Sequence, residues 1–328
     1  MGMQGGCRAG LLLIASLLLS GPAAAQHGAL DRHVYRQIHM GMEVRIVLYA
    51  PSDATVQRAA EAAFQRIAML DSTLSSYRRS SELNRLNAQA GGPPVPVSDP
   101  LFTVLKQAQR LARQSDGAFD VTVGPYIARW RRARATGRLP TDAALQAANA
   151  RTGWRKIDLH AKTQTVRLRA DSMQLALGGL AKGYILDEAL ATLTDEGITR
   201  ALIEAGGDVV MSGPPPETDG WRVQIPGGKP DGTARTVSLK HAAISTSGDT
   251  QQFVEIGGTR YSHVIDPRTG LGLTHRLLVT IIANDGMTAD GLATTVGILG
   301  AEAGRAFLAT HYPGVTAHIR RAGTADAE

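Results

Sequence analysis

"ALIEAGGDVVMSGPPPETDGWRVQIPGGKPDGTARTVSLKHAAISTSG", Ala201 to Gly248, is the stretch on which the fold turns. Inside it "ALIEAGGDVVM", "WRVQIP", "ARTVSLK" and "AAISTSG" read as short strands, because each is rich in β-branched or apolar residues and is bounded by glycine, proline or polar turns. "GPPPETDG" (Gly213 to Gly220) is a loop, as is "GGPPVP" (Gly91 to Pro96). The same pattern extends upstream to "QTVRLR" and downstream to "YSHVID" and "LLVTIIA", with helices expected at about 180–195, 288–299 and 302–310. Runs of strands joined by hairpin-sized gaps, with helices gathered between them, predict an α+β fold. Its sheets should be largely antiparallel, not doubly wound and parallel.

The first part of the chain supplies the remaining elements. "VYRQIHMGMEVRIVLYA" (Val34 to Ala50) reads as one long strand bent at Gly41, and residues 53–70 as an amphipathic helix. A further helix is expected over 99–114, with Ser98 and Asp99 as its caps. No fixed-period repeat or low-complexity linker divides the chain. The pattern allows two lobes, although no shift in composition marks a boundary.

With 328 residues, 43% hydrophobic and 20% charged, the chain can bury a substantial core, which excludes a disordered tail. Residues 1–25 have a separate task. Arg8 precedes the apolar run "LLLIASLLLS", and "GPAAAQ" follows with an A-x-A pattern; this describes a secretory signal cleaved after Ala25, leaving 26–328 as the mature domain. The apolar run is shorter than a membrane span. Cys7 is the sole cysteine and precedes the run, so no lipid-anchor cysteine stands at the cleavage site. A soluble, exported, periplasmic protein without a stable membrane anchor is therefore expected. It has no thiolate chemistry, so oxygen and nitrogen groups must do the work. The net charge of +6 admits phosphate-bearing ligands. The dense basic run "RWRRARATGR" (Arg129 to Arg138) lacks the interleaved aromatics of a nucleic-acid platform and reads as a solvated helical face.

Glycines recur beside acids and basic residues in "GGLAKGYILD", "AGGDVVMSG" (Ala205 to Gly213) and "STSGDT" (Ser245 to Thr250), and four segments carry specific candidate chemistry. In "GGLAKGYILD" (Gly178 to Asp187), two glycines lead into a helix with Lys182 in its first turn, an arrangement that attracts anions; ordinary turn glycines and a surface lysine are the plainer explanation. "YSHVIDPRTG" (Tyr261 to Gly270) places His263 on a strand running into a turn at Pro267, where an imidazole can take a proton from an incoming hydroxyl, or be simply structural. "GAFDVTVGPYIARW" (Gly117 to Trp130) could wall a flat heteroaromatic ligand beside Asp120, or be a plain helix-to-loop joint. In "TADGLATTVGILG" (Thr288 to Gly300), Asp290 and Thr294 lie four apart at the front of a helix. Two oxygens at that spacing can reach one hard cation such as Mg²⁺; alternatively the acid serves the helix dipole and the threonine bonds back to its own helix.

Taken in order, these segments and others resemble the ApbE family, the FAD:protein FMN transferases. The matching stretches are "HMGMEVRIVLY", "DSTLSSYRRSSELNRLN", "GAFDVTVGP", "LALGGLAKGYILD", "IEAGGDVVMSG", "WRVQIP", "AISTSGDTQQF", "YSHVIDPRTG" and "TADGLATTVGILG", nearly the whole mature chain. The resemblance implies two α/β lobes with FAD between them. It also implies Mg²⁺-dependent transfer of the FMN part of FAD to a threonine or serine hydroxyl of an acceptor flavoprotein, with AMP released. By carry-over it implies that Met40, Tyr77, Ala118, Phe119, Asp120, Lys182, His263 and Val264 line the FAD site. Asp290, Thr294 and the Gly179 carbonyl would hold the metal, and His263 would be the base. FAD hydrolysis, or FAD binding without catalysis, are the competing readings. The family's "MGT" is Met40-Gly41-Met42 here, so a hydroxyl is missing beside the flavin site.

Overall fold

A computed structural model describes Met1 and residues 30–51, 54–227, 233–248 and 253–321; the expected secretory signal thus lies outside the described residues. The chain opens with β1 (Asp31–His39), β2 (Met42–Ala50), α1 (Ala54–Leu74), α2 (Glu82–Ala88), β3 (Val95–Pro96) and α3 (Asp99–Gln114). Next come α4 (Gly124–Thr136), α5 (Asp142–Asn149), β4 (Ile157–His160), β5 (Thr165–Leu168) and α6 (Ala181–Asp195). Then follow β6 (Ala201–Ala205), β7 (Asp208–Met211), β8 (Trp221–Ile225), β9 (Arg235–Leu239) and β10 (Ala242–Gly248). The chain closes with β11 (Phe253–Ile256), β12 (Thr259–Ser262), β13 (Leu277–Ala283), α7 (Gly286–Leu299), α8 (Ala301–His311) and β14 (Thr316–Arg321).

Every strand pairing among the described residues is antiparallel, as the α+β reading expects. The main sheet has seven strands in the order β1-β2-β6-β7-β10-β13-β14. Two segments read as single strands are in fact hairpins. Val34–Ala50 turns back at Met40-Gly41 (φ 53° and 77°), and "ALIEAGGDVVM" turns back at Gly206-Gly207 (φ 52° and 91°). Two consecutive left-handed residues make the tight turn whose twist matches the flanking strands, so the glycines punctuate the strand where a bend was expected.

Alternation along the strands then sorts side chains to two faces. Ile203 and Ala205 of β6, Val210 of β7 and Ala243 of β10 point to the main core, where they meet Phe64 and Ile67 of α1, Ile185 and Ala189 of α6 and Leu292 and Val296 of α7. On the opposite face Val47, Leu202, Val209 and Ile244 are capped by Trp221 and Val223 of the β8–β9 hairpin. A separate small cluster, Tyr126 and Trp130 of α4 with Ala148, Ile256, Tyr261 and Ile265, ties α4 and α5 to the β11–β12 hairpin. Ser98 does stand at the N-cap of α3, but makes no side-chain cap bond; its hydroxyl donates instead to Glu82 Oε2 at 2.6 Å.

The N-termini of α6 and α7 meet more closely than any side chain permits. A Cβ on Gly183 would lie 2.0 Å from the Gly286 carbonyl oxygen, and one on Gly286 would lie 2.7 Å from the Gly183 carbonyl oxygen. The Gly183→Ala variant should therefore lose about 3 kcal/mol or more of stability in a urea titration, as overpacking forces the helices apart. Gly297→Ala, on an α7 position where a Cβ meets nothing within 4 Å, should instead be neutral or gain about 0.5–1 kcal/mol.

Candidate functional site

Two helix starts converge on one strand turn. Gly178 and Gly179 lead into α6, whose second residue is Lys182, and Lys182 Nζ reaches Asp208 Oδ2 at 2.5 Å. Asp208 is the first residue of β7, directly after the Gly206-Gly207 turn, and is 1% exposed. Its Oδ1 accepts a 2.6 Å bond from the Ser245 hydroxyl on the neighbouring strand β10. A carboxylate this deep is tolerated because both oxygens are met by polar partners.

Helix α7 starts earlier than the sequence indicates. Asp285 is its N-cap, with a side chain that accepts from the Thr288 N–H at 2.8 Å. The Asp187 carboxylate, reaching across from α6, accepts from Gly286 N–H at 2.6 Å and from Met287 N–H at 2.9 Å. The helix-start role weighed for Asp290 thus belongs to Asp285 and Asp187, and Asp290 sits a turn further in. Likewise, the hydroxyl folded back onto the helix is that of Thr295, which donates to the Gly291 carbonyl at 2.7 Å. Thr294 faces Gly179: its Oγ1 and Cγ2 lie 3.3 and 3.1 Å from where a Cβ on that glycine would stand.

Asp290 is 5% exposed, and its Oδ2 accepts from the Gly183 N–H at 3.1 Å. Burial and then the nearby Asp208 carboxylate push its carboxyl up to about 7, opposed by Lys182. Burial works to lower Lys182, but Asp208 and Asp290 outweigh it and hold the ammonium above its usual range. Burial raises Asp187 to about 7, against the two backbone bonds that favour its anion. One ammonium among these acids leaves a cation-seeking site.

The donor set fits a hard divalent cation in one specific way. Gly179 offers an approach that a side chain would fill, Thr294 brings a hydroxyl beside it, and Asp290 stands one helical turn before Thr294 on α7. Among the described residues no three His, Cys, Asp or Glu side chains gather into a metal cage. One carboxylate with neutral oxygens is what an ion needs when a substrate phosphate completes its shell.

These groups open onto a single cavity of about 1250 Å³, lined by Gly179, Lys182, Asp290, Thr294, Phe119, Asp120, Tyr77, His263 and Val264. Of the other expected residues, Met40 packs against the core as the left-handed corner of the β1–β2 turn, and Ala118 is buried beside Leu273, Ile298 and Val264; neither is a cavity wall. His263 is the first residue past β12, not part of the strand. Its turn is held by Arg268, which clamps Asp266 with bonds of 2.8 and 2.7 Å and reaches the Ile298 carbonyl of α7 at 3.3 Å. Tyr77 is exposed, and the Arg131 guanidinium lies 5.1 Å over its ring. The basic run is thus largely solvated, yet Arg131 and Arg134 border the cavity.

Sequence reasoning singled out the glycine-rich stretches that hold Asp208 and Ser245 but gave neither residue a role. The available signal was an aspartate set immediately after a Gly-Gly turn in an otherwise apolar strand, "AGGDVVM". Met42, the position read as lacking a hydroxyl beside the flavin site, does line the cavity, with its Sδ over Gly206, 2.6 Å from where a Cβ would be.

A model described as the ApbE family matches residues 40–319. A Vibrio cholerae protein named FAD:protein FMN transferase is 36% identical over 241 residues, covering 71% of each chain. One of that name from Treponema pallidum is 33% identical over 86% of this chain and 82% of its own. The crystal structure of apo Pseudomonas stutzeri flavinyl transferase ApbE superposes with a TM-score of 0.78 at 28% identity, over 88% of this chain and 91% of that one. The flavin transferase ApbE from Vibrio cholerae gives 0.80 at 30%, over 90% and 95%.

Asp120 serves the wall of this cavity chiefly by fixing its backbone. Oδ1 accepts from Thr122 N–H at 2.8 Å and from the Thr122 hydroxyl at 2.6 Å, while Oδ2 accepts from Trp154 N–H at 2.9 Å. Asp120→Ala leaves those donors unmatched inside the protein and should cost about 2–4 kcal/mol in chemical denaturation. A stability within about 0.5 kcal/mol of the parent, inside the usual scatter of surface changes, would refute the pinning role.

Proposed function

The chain belongs to the ApbE family of flavin-transferring enzymes, and we propose that it moves the FMN part of FAD onto a threonine or serine hydroxyl of an acceptor flavoprotein, releasing AMP. The observation that carries this reading is the convergence of Asp290, Thr294 and Gly179 on the cavity that also holds Lys182 and His263. The N-terminal basic, apolar and A-x-A pattern supports export, so the acceptor would be met in the periplasm. Among the described residues no helix is long and apolar enough to cross a membrane.

The reaction balances without a redox step. The acceptor oxygen forms a bond to the FMN phosphorus of FAD as the bond from that phosphorus to the bridging oxygen breaks. AMP departs with the bridging oxygen, and the hydroxyl proton passes to His263. Asp290 and Thr294, with the Gly179 carbonyl, would hold Mg²⁺, which when bound neutralises charge on the pyrophosphate. Lys182 is fixed by Asp208 and contributes positive charge to the same wall. The aromatic and apolar wall at Tyr77, Phe119 and Val264 suits a flat ring system.

Incubating the protein with FAD, Mg²⁺ and a flavoprotein encoded beside it should add one FMN mass to the acceptor and release AMP in equal amount. AMP release at the same rate without acceptor would identify a hydrolase instead. Asp290→Ala should lower transfer about a hundredfold or more, equivalent to about 2.7 kcal/mol of transition-state stabilisation.

The raised Asp290 carboxyl makes metal binding pH-dependent. A folded-state value of about 7, above the ordinary range near 4, means that this group's contribution to metal-free stability falls as pH rises through that window. A cation replaces the proton above it. Mg²⁺ should accordingly raise the melting temperature clearly near pH 8 and hardly at all near pH 5, and Asp290→Asn should abolish that difference. Equal shifts at both pH values would remove Asp290 from the metal site.

A further inference from the structure

The cavity has a second wing that none of the residues expected to hold FAD occupies. It runs from the Gly206-Gly207 turn across the outer face of the main sheet and under the β8–β9 hairpin. Its floor includes Met42, the Arg45–Glu204 ion pair and Thr246, and its side is Arg222, Val223, Gln224 and Pro226. Arg222 and Gln224 are exposed, while Val223 packs toward the sheet, so residues from both faces of β8 border the same space. Successive residues of one strand do that where a cavity meets the strand along its edge.

Among the described residues that edge is unpaired. β8 hydrogen-bonds to β9 alone among the described residues, in the register Trp221↔Leu239 to Ile225↔Arg235, and no residue of β9 lines the cavity. Every second residue of β8 therefore turns its N–H and C=O away from β9, toward the cavity. An open strand edge inside a cleft is a template for an extended segment. Because this edge and the Lys182–Asp290 group share one cavity, a strand laid on it enters the place where the phosphate chemistry would occur.

Resting on the flavin-transfer reading, we propose that the open edge of β8 docks the acceptor polypeptide, which adds to it as an extended strand and so delivers its hydroxyl to the Lys182–Asp290 end of the cavity. The main-chain ladder supplies affinity with little demand on sequence.

Hydrogen–deuterium exchange on the full chain tests this directly, using the acceptor that gains FMN. Adding that acceptor to enzyme already saturated with FAD should slow exchange of the amides at Arg222–Ile225 by about tenfold or more, while FAD alone should not. Benzoylphenylalanine at Gln224 should crosslink to the acceptor within a few residues of the flavinylated hydroxyl, and the same group at Glu302 on α8 should not. Full slowing by FAD alone would overturn the proposal, because the wing would then hold part of FAD. A Gln224 crosslink only to residues of this chain would do the same, since an internal segment would be covering the edge. Transfer with neither slowing nor crosslink places the acceptor elsewhere and rejects the edge alone. Loss of transfer in the parent enzyme with every candidate acceptor rejects the flavin-transfer reading itself.

Discussion

Two helix starts meet at Gly183 and Gly286 with no space between them for a methyl group, and the geometry of the site follows from that contact. Because the helices touch by backbone alone, the Gly183 N–H can reach Asp290 and the Asp187 carboxylate can reach the first N–H groups of α7. Those two links run in opposite directions across the same crossing, so sliding one helix along the other breaks both. Thr294, a turn beyond Asp290, is thereby held against Gly179 at the start of α6. Glycine is required here for the approach of two backbones, not for an unusual φ, since neither residue adopts a left-handed conformation.

The same crossing gathers more negative charge than the fold needs. Asp208 and Asp290 lie almost wholly out of water with Lys182 between them. A purely structural pair would match one acid with one base, and a second buried acid adds a desolvation penalty that Lys182 and the Gly183 N–H offset only in part, leaving its carboxyl raised to about 7. Surplus charge of this kind is found where a ligand completes the balance. Asp208 is held within the protein, its Oδ1 by the Ser245 hydroxyl and its Oδ2 by the Lys182 ammonium, whereas Asp290 takes one backbone bond, from the Gly183 N–H, and lines the cavity. The division of labour is then physical: Asp208 fixes the lysine, and Asp290 faces the cavity.

Much of this was legible in the sequence, for identifiable reasons. The 3.6-residue apolar period from 53 to 70 corresponds to α1 at Ala54–Leu74, and 99–114 corresponds to α3 at both ends, since long periodic helices bury one stripe whatever surrounds them. The hairpins were lost because their strands flow through two-residue turns without a polar loop, leaving Met40-Gly41 and Gly206-Gly207 as the only marks. Residue types at the site were readable, but their roles were not. Spacing brought Asp290 and Thr294 to one face, yet only tertiary contact could hand the helix-start task to Asp285 and Asp187. Asp208 carried a local mark, the Gly-Gly turn before it, but its role was not readable because its partners, Lys182 and Ser245, lie 26 and 37 positions away on other elements.

The departure at Met42 has a physical consequence. Where the resemblance implies a threonine, this chain places a long thioether whose Sδ lies over Gly206, so close that a Cβ there would be 2.6 Å away. The two positions are therefore coupled. Gly206 needs φ 52° to make the turn, and Met42 occupies the volume that its absent side chain leaves. A flexible, polarisable side chain suits that gap better than a β-branched one, which is stiff at χ1 and cannot reach as far. The hydroxyl lost at 42 is thus exchanged for an apolar lid on the turn that leads directly into Asp208.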